Sequence, residues 1–396
     1  MKTAIVGGGA AGFFLAVNLK EMMPEMEVTI FERGQRVLRK VEISGGGRCN
    51  CTNSFKQVGD LSEVYPRGHR LVKRLFNVFD YHEAYEWFER HGVPLVTQVD
   101  DCVFPASQDS HAIINCFLNE SHRLGVRIRT NTKINSLNDL AGFDFIAVTT
   151  GGSPRGEGLQ WLCEEAGVKI VDPVPSLFTF CIADDNLRAL MGIVSEASVV
   201  IPGTKMKARG PLLITHWGMS GPAILRLSSY AARLLHENSY RLPLIVNWAN
   251  AKPDEVLAKI QLTASMHPQK KPATIKPFGL TGRLWDYLVK KSLGHRAETT
   301  WSGLSKKELN KLANVLCNDE YQIAGRAPFK DEFVTCGGIS LQSVNASTLE
   351  SKSRPGLYFA GEVLDIDGIT GGFNFQAAWT TAYVVAQSIA KQCKPL

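Results

Sequence analysis

The sequence predicts an α/β chain whose nucleotide-binding domain is built from both chain ends around an inserted region of different character. Three observations carry this. Residues 1–33 read strand, glycine turn, helix, strand, and residues 356–390 read strand, glycine pair, helix. Between about Pro175 and Lys330 the pattern changes to short β-like runs and amphipathic helices.

Ala4-Ile5-Val6 is a short apolar run, as a buried parallel strand requires. Gly7-x-Gly9-x-x-Gly12 follows without a gap, Phe13 to Lys20 continues as a helix ending near Pro24, and Val28 to Phe31 is the next strand. Gly7 permits a tight turn, Gly9 leaves bare backbone for a pyrophosphate, and Gly12 lets helix and strand pack closely. The helix start offers free N–H groups and a positive dipole end to phosphate. Glu32, 20 residues after Gly12, is placed to accept hydrogen bonds from an adenosine ribose. This Rossmann-like fingerprint alone does not separate NAD from FAD; its place at the N-terminus favours FAD.

The tail makes that choice clearer. Leu357 to Ala360 reads as a strand closed by Gly361-Glu362, and a loop through Asp365 and Asp367 leads to Gly371-Gly372-Phe373-Asn374. A helix is expected from about Gln376 to the C-terminus, with Ala377, Ala378, Tyr383, Val384 and Val385 as its apolar positions. A second glycine-preceded helix start suits the pyrimidine edge of an isoalloxazine ring, where negative charge gathers on N1 and O2 when a flavin is reduced. Between the two ends, the strand of "FDFIAVTTGGSP" runs into Thr149-Thr150-Gly151-Gly152, where the chain is expected to pass back over the cofactor.

One further glycine run, "VEISGGGRCNCTN" at 41–53, fits no Gly-x-x-x-x-Gly-Lys-[Ser/Thr] phosphate loop. Three glycines in a row are costly in backbone entropy and suit a chain that approaches something flat and close. The run is expected beside the flavin ring and its ribityl-phosphate arm. Arg48 offsets phosphate charge or braces a flavin carbonyl, and Asn50 and Asn53 bond while tolerating unusual backbone angles. Cys49 reads as a small buried apolar residue more than as a redox thiol, since no Cys-x-x-Cys accompanies it.

The chain has 396 residues with 44% apolar content, enough for two or three domains. The formal charge is +6, and residues 252–330 hold 14 Lys and Arg against 7 Asp and Glu, so the basicity sits in one segment. A solvated surface is its default reading, a polyanion contact the minority one. Nine scattered cysteines, without a zinc-type pair of pairs, fit a reducing cytosol, and no metal site is expected. No apolar run reaches the ~18 residues of a membrane span and nothing reads as a signal peptide.

In the inserted region, "PAILRLSSYAARLLHEN" is expected to be one helix opening on Pro222, and "RLPLIVNWA" a strand. Ser305 and Glu308 form a capping box ahead of a helix with Leu309, Leu312, Val315 and Leu316 on its core face. A strand near Glu332 to Thr335 returns the chain to the first domain. Thr215-His216-Trp217 and Cys336-Gly337-Gly338 are the candidate substrate-facing loops, with His216 a weak candidate for the catalytic acid or base.

Taken in order, Gly7-x-Gly9-x-x-Gly12, Glu32, "SGGGRCNCTN", "TTGG", "THWGMSGPAIL", "CGG" and "GEVLDIDGITGGFNFQAAW" resemble the BaiN/YhiN-type (bile-acid reductase-like) family of bacterial flavoproteins, over nearly the whole chain. The resemblance implies an FAD-binding domain of residues 1–185 plus 332–396, an inserted β-rich, barrel-like substrate domain of 186–250 plus about 319–331, and a small helical subdomain of 251–318. It implies flavin contacts at Gly7, Gly9, Gly12, Glu32, Arg33, Gly45, Gly46, Arg48, Asn50, Gly151, Gly361, Glu362, Gly372 and Asn374. Ala11, Arg39, Ser44, Gly47, Cys49, Thr150, Gly152, Asp367, Gly371 and Phe373, in the same stretches, complete the candidate set. Where the family often has a longer Ser-x-Pro-x-x-Gly-Ser segment after "TGG", this chain has the shorter "GGSPRGEGLQW", which points to a narrower or different substrate.

The expected activity is hydride transfer between flavin N5 and a small organic substrate in a cytoplasmic enzyme. NAD(P)H is the candidate co-substrate, visiting the same cleft because no second Gly-x-Gly-x-x-Gly occurs. The alternatives are a flavoprotein acting on RNA through segment 252–330, which lacks the aromatic-basic interleaving of base stacking, and a non-catalytic redox sensor.

Overall fold

Thr3 to Val6 are buried without exception, and the run they belong to, β1 (Lys2–Val6), is the middle strand of a five-stranded parallel sheet. In the computed structural model, which describes residues 1–153, 158–327 and 334–393, β1 pairs on one side with β2 (Glu27–Phe31) and on the other with Phe145–Val148. Arg127–Arg129 flanks β2, and Leu357–Phe359, more than 200 residues later, flanks Phe145–Val148. The strand order therefore reverses at β1, and the crevice off the carboxyl end of that strand is where open α/β sheets place ligands.

Two helices carry the sheet's core. The first, α1 (Ala10–Met22), is buried at every position from Ala11 to Leu19, and the C-terminal helix (Phe373–Cys393) is buried over most of its length. Helices apolar on nearly all sides must be covered on all sides. They pack against each other through an aromatic cluster in which Phe14 meets Trp379 at 5.2 Å and Trp87 at 4.6 Å. Both start earlier than their sequence pattern predicts, α1 at Ala10 directly after the glycine turn and the last helix at Phe373 directly after Gly372. The glycines end each loop so sharply that no linker separates turn from helix.

The chain divides into two compact units, Met1–Pro175 with Val334–Leu396, and Ser176–Phe333. The second is built on a closed barrel of six strands: Val194–Val200, Lys207–Ile214, Gly218–Ser220, Phe180–Ile182, Asp319–Arg326 and Pro243–Asn247, in that spatial order. Closure removes free strand edges. The strand Phe180–Ile182, which the expected division at residue 185 assigns to the first domain, is thus a stave of the barrel. The segment 251–318 forms no separate core. Its helices Pro253–Met266, Gly282–Leu293 and Lys306–Cys317 bury Val256, Trp285 and Leu312 in the same cluster as barrel residues Ile182, Val199 and Leu244.

Several local expectations hold and some change. Ser305 caps the helix Lys306–Cys317 with Glu308 reciprocating; Leu309, Leu312 and Leu316 are buried, Val315 partly so. "PAILRLSSYAARLLHEN" is two helices, Pro222–Tyr230 and Ala232–Glu237, broken at Ala231. Cys336-Gly337-Gly338 is not a loop: it lies inside the fully buried strand Val334–Ile339, and a side chain on either glycine would collide with backbone of Val171–Asp172 or Val363. Among the described residues no helix is long and apolar enough to cross a membrane.

Replacing fully buried Leu312 by Ala should destabilise the helical part of the second unit by about 2–5 kcal/mol. If that part shares the barrel's core, hydrogen exchange will accelerate in the barrel strands as well as in Lys306–Cys317. Acceleration confined to the helix would show the two to be independent.

Candidate dinucleotide site

The crevice begins at the glycine turn. Gly12 lies inside the first turn of α1, and a Cβ there would overlap the Gly7 carbonyl and press on Thr149 Oγ1. Thr149 Oγ1 donates to the Gly7 carbonyl at 2.9 Å, tying the turn to the end of Phe145–Val148. Gly9 is different: nothing lies within 4 Å of where its side chain would be, so its bare backbone faces open space. The first amides of α1 have no helical acceptor of their own and face the same opening.

At the end of β2, Glu32 accepts from the Gly8 N–H at 2.9 Å and from the Gly34 N–H at 2.7 Å. These bonds fix the carboxylate beside the glycine turn. Arg33 and Arg39 are exposed on the neighbouring segment, as is Thr150 beyond Phe145–Val148.

The loop Ser44–Asn50 supplies a second bare surface. Gly45, Gly46 and Gly47 all adopt left-handed φ (57°, 68° and 85°), and the Cβ positions of Gly46 and Gly47 meet nothing within 4 Å. Ser44 Oγ donates to the Val41 carbonyl. The Arg48 guanidinium is folded onto its own loop: Nε donates to the Gly45 carbonyl at 3.2 Å, Nη1 to Gln108 at 3.3 Å, and the group sits 4.3 Å from the Phe104 ring centroid. Cys49 is fully buried, and burial, only partly offset by a bond with Ser44, pushes its thiol up to about 12. A thiol so protonated is a packing residue, not a redox nucleophile.

The tail reaches this loop from the far end of the chain. Gly372 (φ 89°) passes so close to the Thr52 carbonyl that any Cβ would overlap it. The Asn50 amide, turned as its neighbours dictate, accepts from the Gly372 N–H and donates to the carbonyls of Thr52 and Val103. Asn53 Nδ2 donates to the Gly371 carbonyl at 2.9 Å, and Thr52 Oγ1 to Gln376 Oε1 at 2.6 Å. Asn374 clasps Gly368, accepting from its N–H and donating to its carbonyl. Tyr65 Oη donates to the carbonyl of buried Phe373.

Gly361 lies between the two helices: a Cβ on it would lie 2.8 Å from Ala11 Cβ at the start of α1, while its N–H donates to Thr381 Oγ1, well inside the C-terminal helix. Glu362 follows. Its carboxylate bonds Lys40 Nζ at 2.7 Å and the Thr335 N–H at 2.9 Å, and it packs on Gly151 and Gly152. Burial pushes this carboxyl up, but Lys40 and the amides of Thr335 and Gly152 more than offset it, leaving it below the usual carboxylate value.

The structure thus brings the glycine turn, Glu32, the Ser44–Asn50 loop, Gly151–Gly152 and the Gly361–Asn374 loop into one unit. Asp367 has a different place than its motif suggests: it is fully buried and its two oxygens face Arg67 Nε and Nη2. His216 belongs to the other unit, exposed on the turn between Lys207–Ile214 and Gly218–Ser220 beside Trp217. Of the shortened loop after Gly152, Pro154–Glu157 lie outside the described residues. Sequence reading missed Lys40, Tyr65, Arg67 and Thr335. Lys40 lies one residue past a named candidate and Thr335 directly before Cys336-Gly337-Gly338, whereas Tyr65 and Arg67 lie near no motif.

Below the ordinary carboxylate range Glu362 takes up a proton and its bonds weaken. Its folded value is lowered, so its contribution is present above about pH 4.5 and lost as pH falls through the lowered value. Glu362→Gln should therefore be less stable than wild type at pH 7, and the difference should shrink toward pH 3 in acid-unfolding curves. A constant difference would contradict the assignment.

Known proteins resemble the chain in sequence. A ribosomal RNA dihydrouridine synthase of Haemophilus influenzae is 27% identical over 411 residues, covering 98% of each chain. A 3-dehydro-bile acid delta(4,6)-reductase of Clostridium scindens is 26% identical over 416 residues, covering 99% of each. An open-conformation flavocytochrome c3 fumarate reductase superposes with a TM-score of 0.47 at 15% identity, over 98% of this chain and 78% of that one. The profile of the HI0933-like protein Rossmann domain matches residues 1–388, and the chain belongs to that family.

Proposed function

We propose that this crevice holds FAD, and that the chain is an FAD-dependent oxidoreductase that saturates a carbon–carbon double bond conjugated to a carbonyl group. The observation that carries the reading is that two glycine-preceded helices, α1 and Phe373–Cys393, pack together in one unit, with Gly361 set between Ala11 at the start of α1 and Ala378 and Thr381 of the other helix. A dinucleotide has two ends that need such amides, and one crevice offers both. The bare backbones at Gly9, Gly46 and Gly47 open onto space that a Cβ would enter, as a flat, phosphate-bearing group requires.

In this reading the Gly9–Gly12 amides receive the pyrophosphate and Glu32, already oriented by Gly8 and Gly34, receives the ribose. The Ser44–Asn50 loop lies along the ring and its arm, and the amides after Gly371 face the pyrimidine edge. When bound, the flavin supplies hydride transfer at N5. The residues orient the ring, exclude water and place a positive dipole end where negative charge develops.

Both relatives named above point to one chemistry. A dihydrouridine is a uridine whose ring double bond has been saturated, and a delta(4,6)-reductase saturates double bonds at two numbered positions. The single Gly-x-Gly-x-x-Gly of the sequence supports NAD(P)H as a donor that uses the flavin cleft in turn with the acceptor. The acceptor of first choice is a small conjugated molecule. A second reading, uridine within RNA, is favoured by the charge partition: residues 176–333 hold 21 Lys and Arg against 13 Asp and Glu, while the rest of the chain holds 23 against 25.

The test is anaerobic. NADH or NADPH should bleach the flavin band of the purified holoprotein, and either a cyclic enone or a uridine-containing RNA should restore it, with the saturated product found by mass spectrometry. Recovery by RNA that fades steeply with salt would select the second reading. A reduced protein reoxidised by oxygen alone would contradict both.

A further inference from the structure

Arg67 and Asp367 form an ion pair sunk against the start of the C-terminal helix. Asp367 is wholly buried and the Arg67 side chain is 16% exposed. The two residues also form an antiparallel backbone bridge. Around them residues 64–68 run as a brace along 366–373. The Ile369 N–H donates to the Val64 carbonyl at 2.9 Å, Tyr65 Oη donates to the Phe373 carbonyl at 2.8 Å, and Gly68 is pressed against Ile366. Asp367 precedes Gly368, which Asn374 clasps from inside the helix's first turn and whose Cβ position lies 2.9 Å from Phe373 Cβ. Asp365 and Cys336 also act electrostatically on Arg67.

No motif accounts for Arg67, and the cost of the buried pair is plain. Two charges taken out of water gain little over an apolar contact of the same shape unless the charge itself is used. A rigid brace alone is already supplied by the bonds of Val64 and Tyr65. What the pair adds is a fixed pair of full charges in the loop that leads into the amides after Gly371, the ones expected to face the flavin's pyrimidine edge.

We propose that Arg67 is a positioning residue for flavin reduction: paired with Asp367, it holds the Gly368–Gly372 loop and sets the local charge at the helix start, and so sets how easily the flavin accepts an electron pair. This rests on the reading of the crevice as the FAD site. Reduction adds a hydride at N5 and leaves negative charge toward N1 and O2. Removing Asp367's charge leaves Arg67 unbalanced and favours the reduced form. Removing Arg67's charge leaves Asp367 unbalanced and disfavours it.

The flavin midpoint potential of holoprotein is to be measured at pH 8 against a reference dye, for wild type, Arg67→Met, Asp367→Asn, Arg67→Lys and the Arg67→Met/Asp367→Asn double variant. Asp367→Asn should raise the potential and Arg67→Met lower it, each by at least tenfold in the reduced-to-oxidised ratio, about 30 mV for a two-electron couple. Arg67→Lys and the double variant should return toward wild type. A purely structural role would move both single variants in the same direction. Shifts of one sign, no shift, or loss of flavin from all the variants while wild type stays loaded would overturn the proposal. A wild-type protein that takes up no FAD would instead bring down the reading of the crevice, and this inference with it.

Discussion

Gly372 passes the Thr52 carbonyl at a distance that admits no side chain, and the rest of the site depends on that contact. It is where a loop near the C-terminal end of the chain meets a segment more than 300 residues earlier. Once Gly372 is seated, Asn50 and Asn53 bond the N–H and the carbonyl of the peptide unit that joins Gly371 to it, Thr52 reaches Gln376, and the C-terminal helix is forced to begin at Phe373. The same helix then lies along α1, and Gly361 meets Ala11. A close backbone approach at one point thereby lays the C-terminal helix along α1, to which it has no sequence proximity.

The electrostatics of the crevice follow from the same arrangement. Helix starts carry partial positive charge and attract anions. The acidic groups nearest them are each matched: Glu362 by Lys40 and backbone amides, Asp367 by Arg67, Glu32 by the amides of Gly8 and Gly34. Breaking one partner of a buried ion pair such as Arg67–Asp367 costs about 3–5 kcal/mol, so that match is a strong constraint on the loop that carries it. The matching leaves the positive ends of the helices available to an incoming ligand.

Much of this was legible in the sequence because it rests on glycines at fixed offsets from strands. Gly7, Gly9 and Gly12 announced a turn, and the turn is there, with Gly12 packed on the Gly7 carbonyl and Gly9 facing open space. The glycine run after Ser44 announced bare backbone, and Gly46 and Gly47 present it. What was not legible lies in contacts between distant segments. Tyr65 and Arg67 sit in a stretch with no motif, and only the folded chain shows them bracing residues 366–373. Cys336-Gly337-Gly338 looked like a loop because paired glycines usually turn; it is a strand whose glycines are required by backbone packed on both faces. A separate helical subdomain at 251–318 is what the resemblance implies; the amphipathic periodicity of its helices gives their buried face but not its partner, which is the barrel.

The central claim is that both ends of the chain grip one molecule of FAD. Titration of apoprotein with FAD, followed by quenching of flavin fluorescence, tests it most directly when wild type is compared with Gly12→Val and Gly372→Val. One site per chain in wild type, lost in both variants, is the predicted result. Two sites per chain, or saturable binding that survives in either variant, would contradict it.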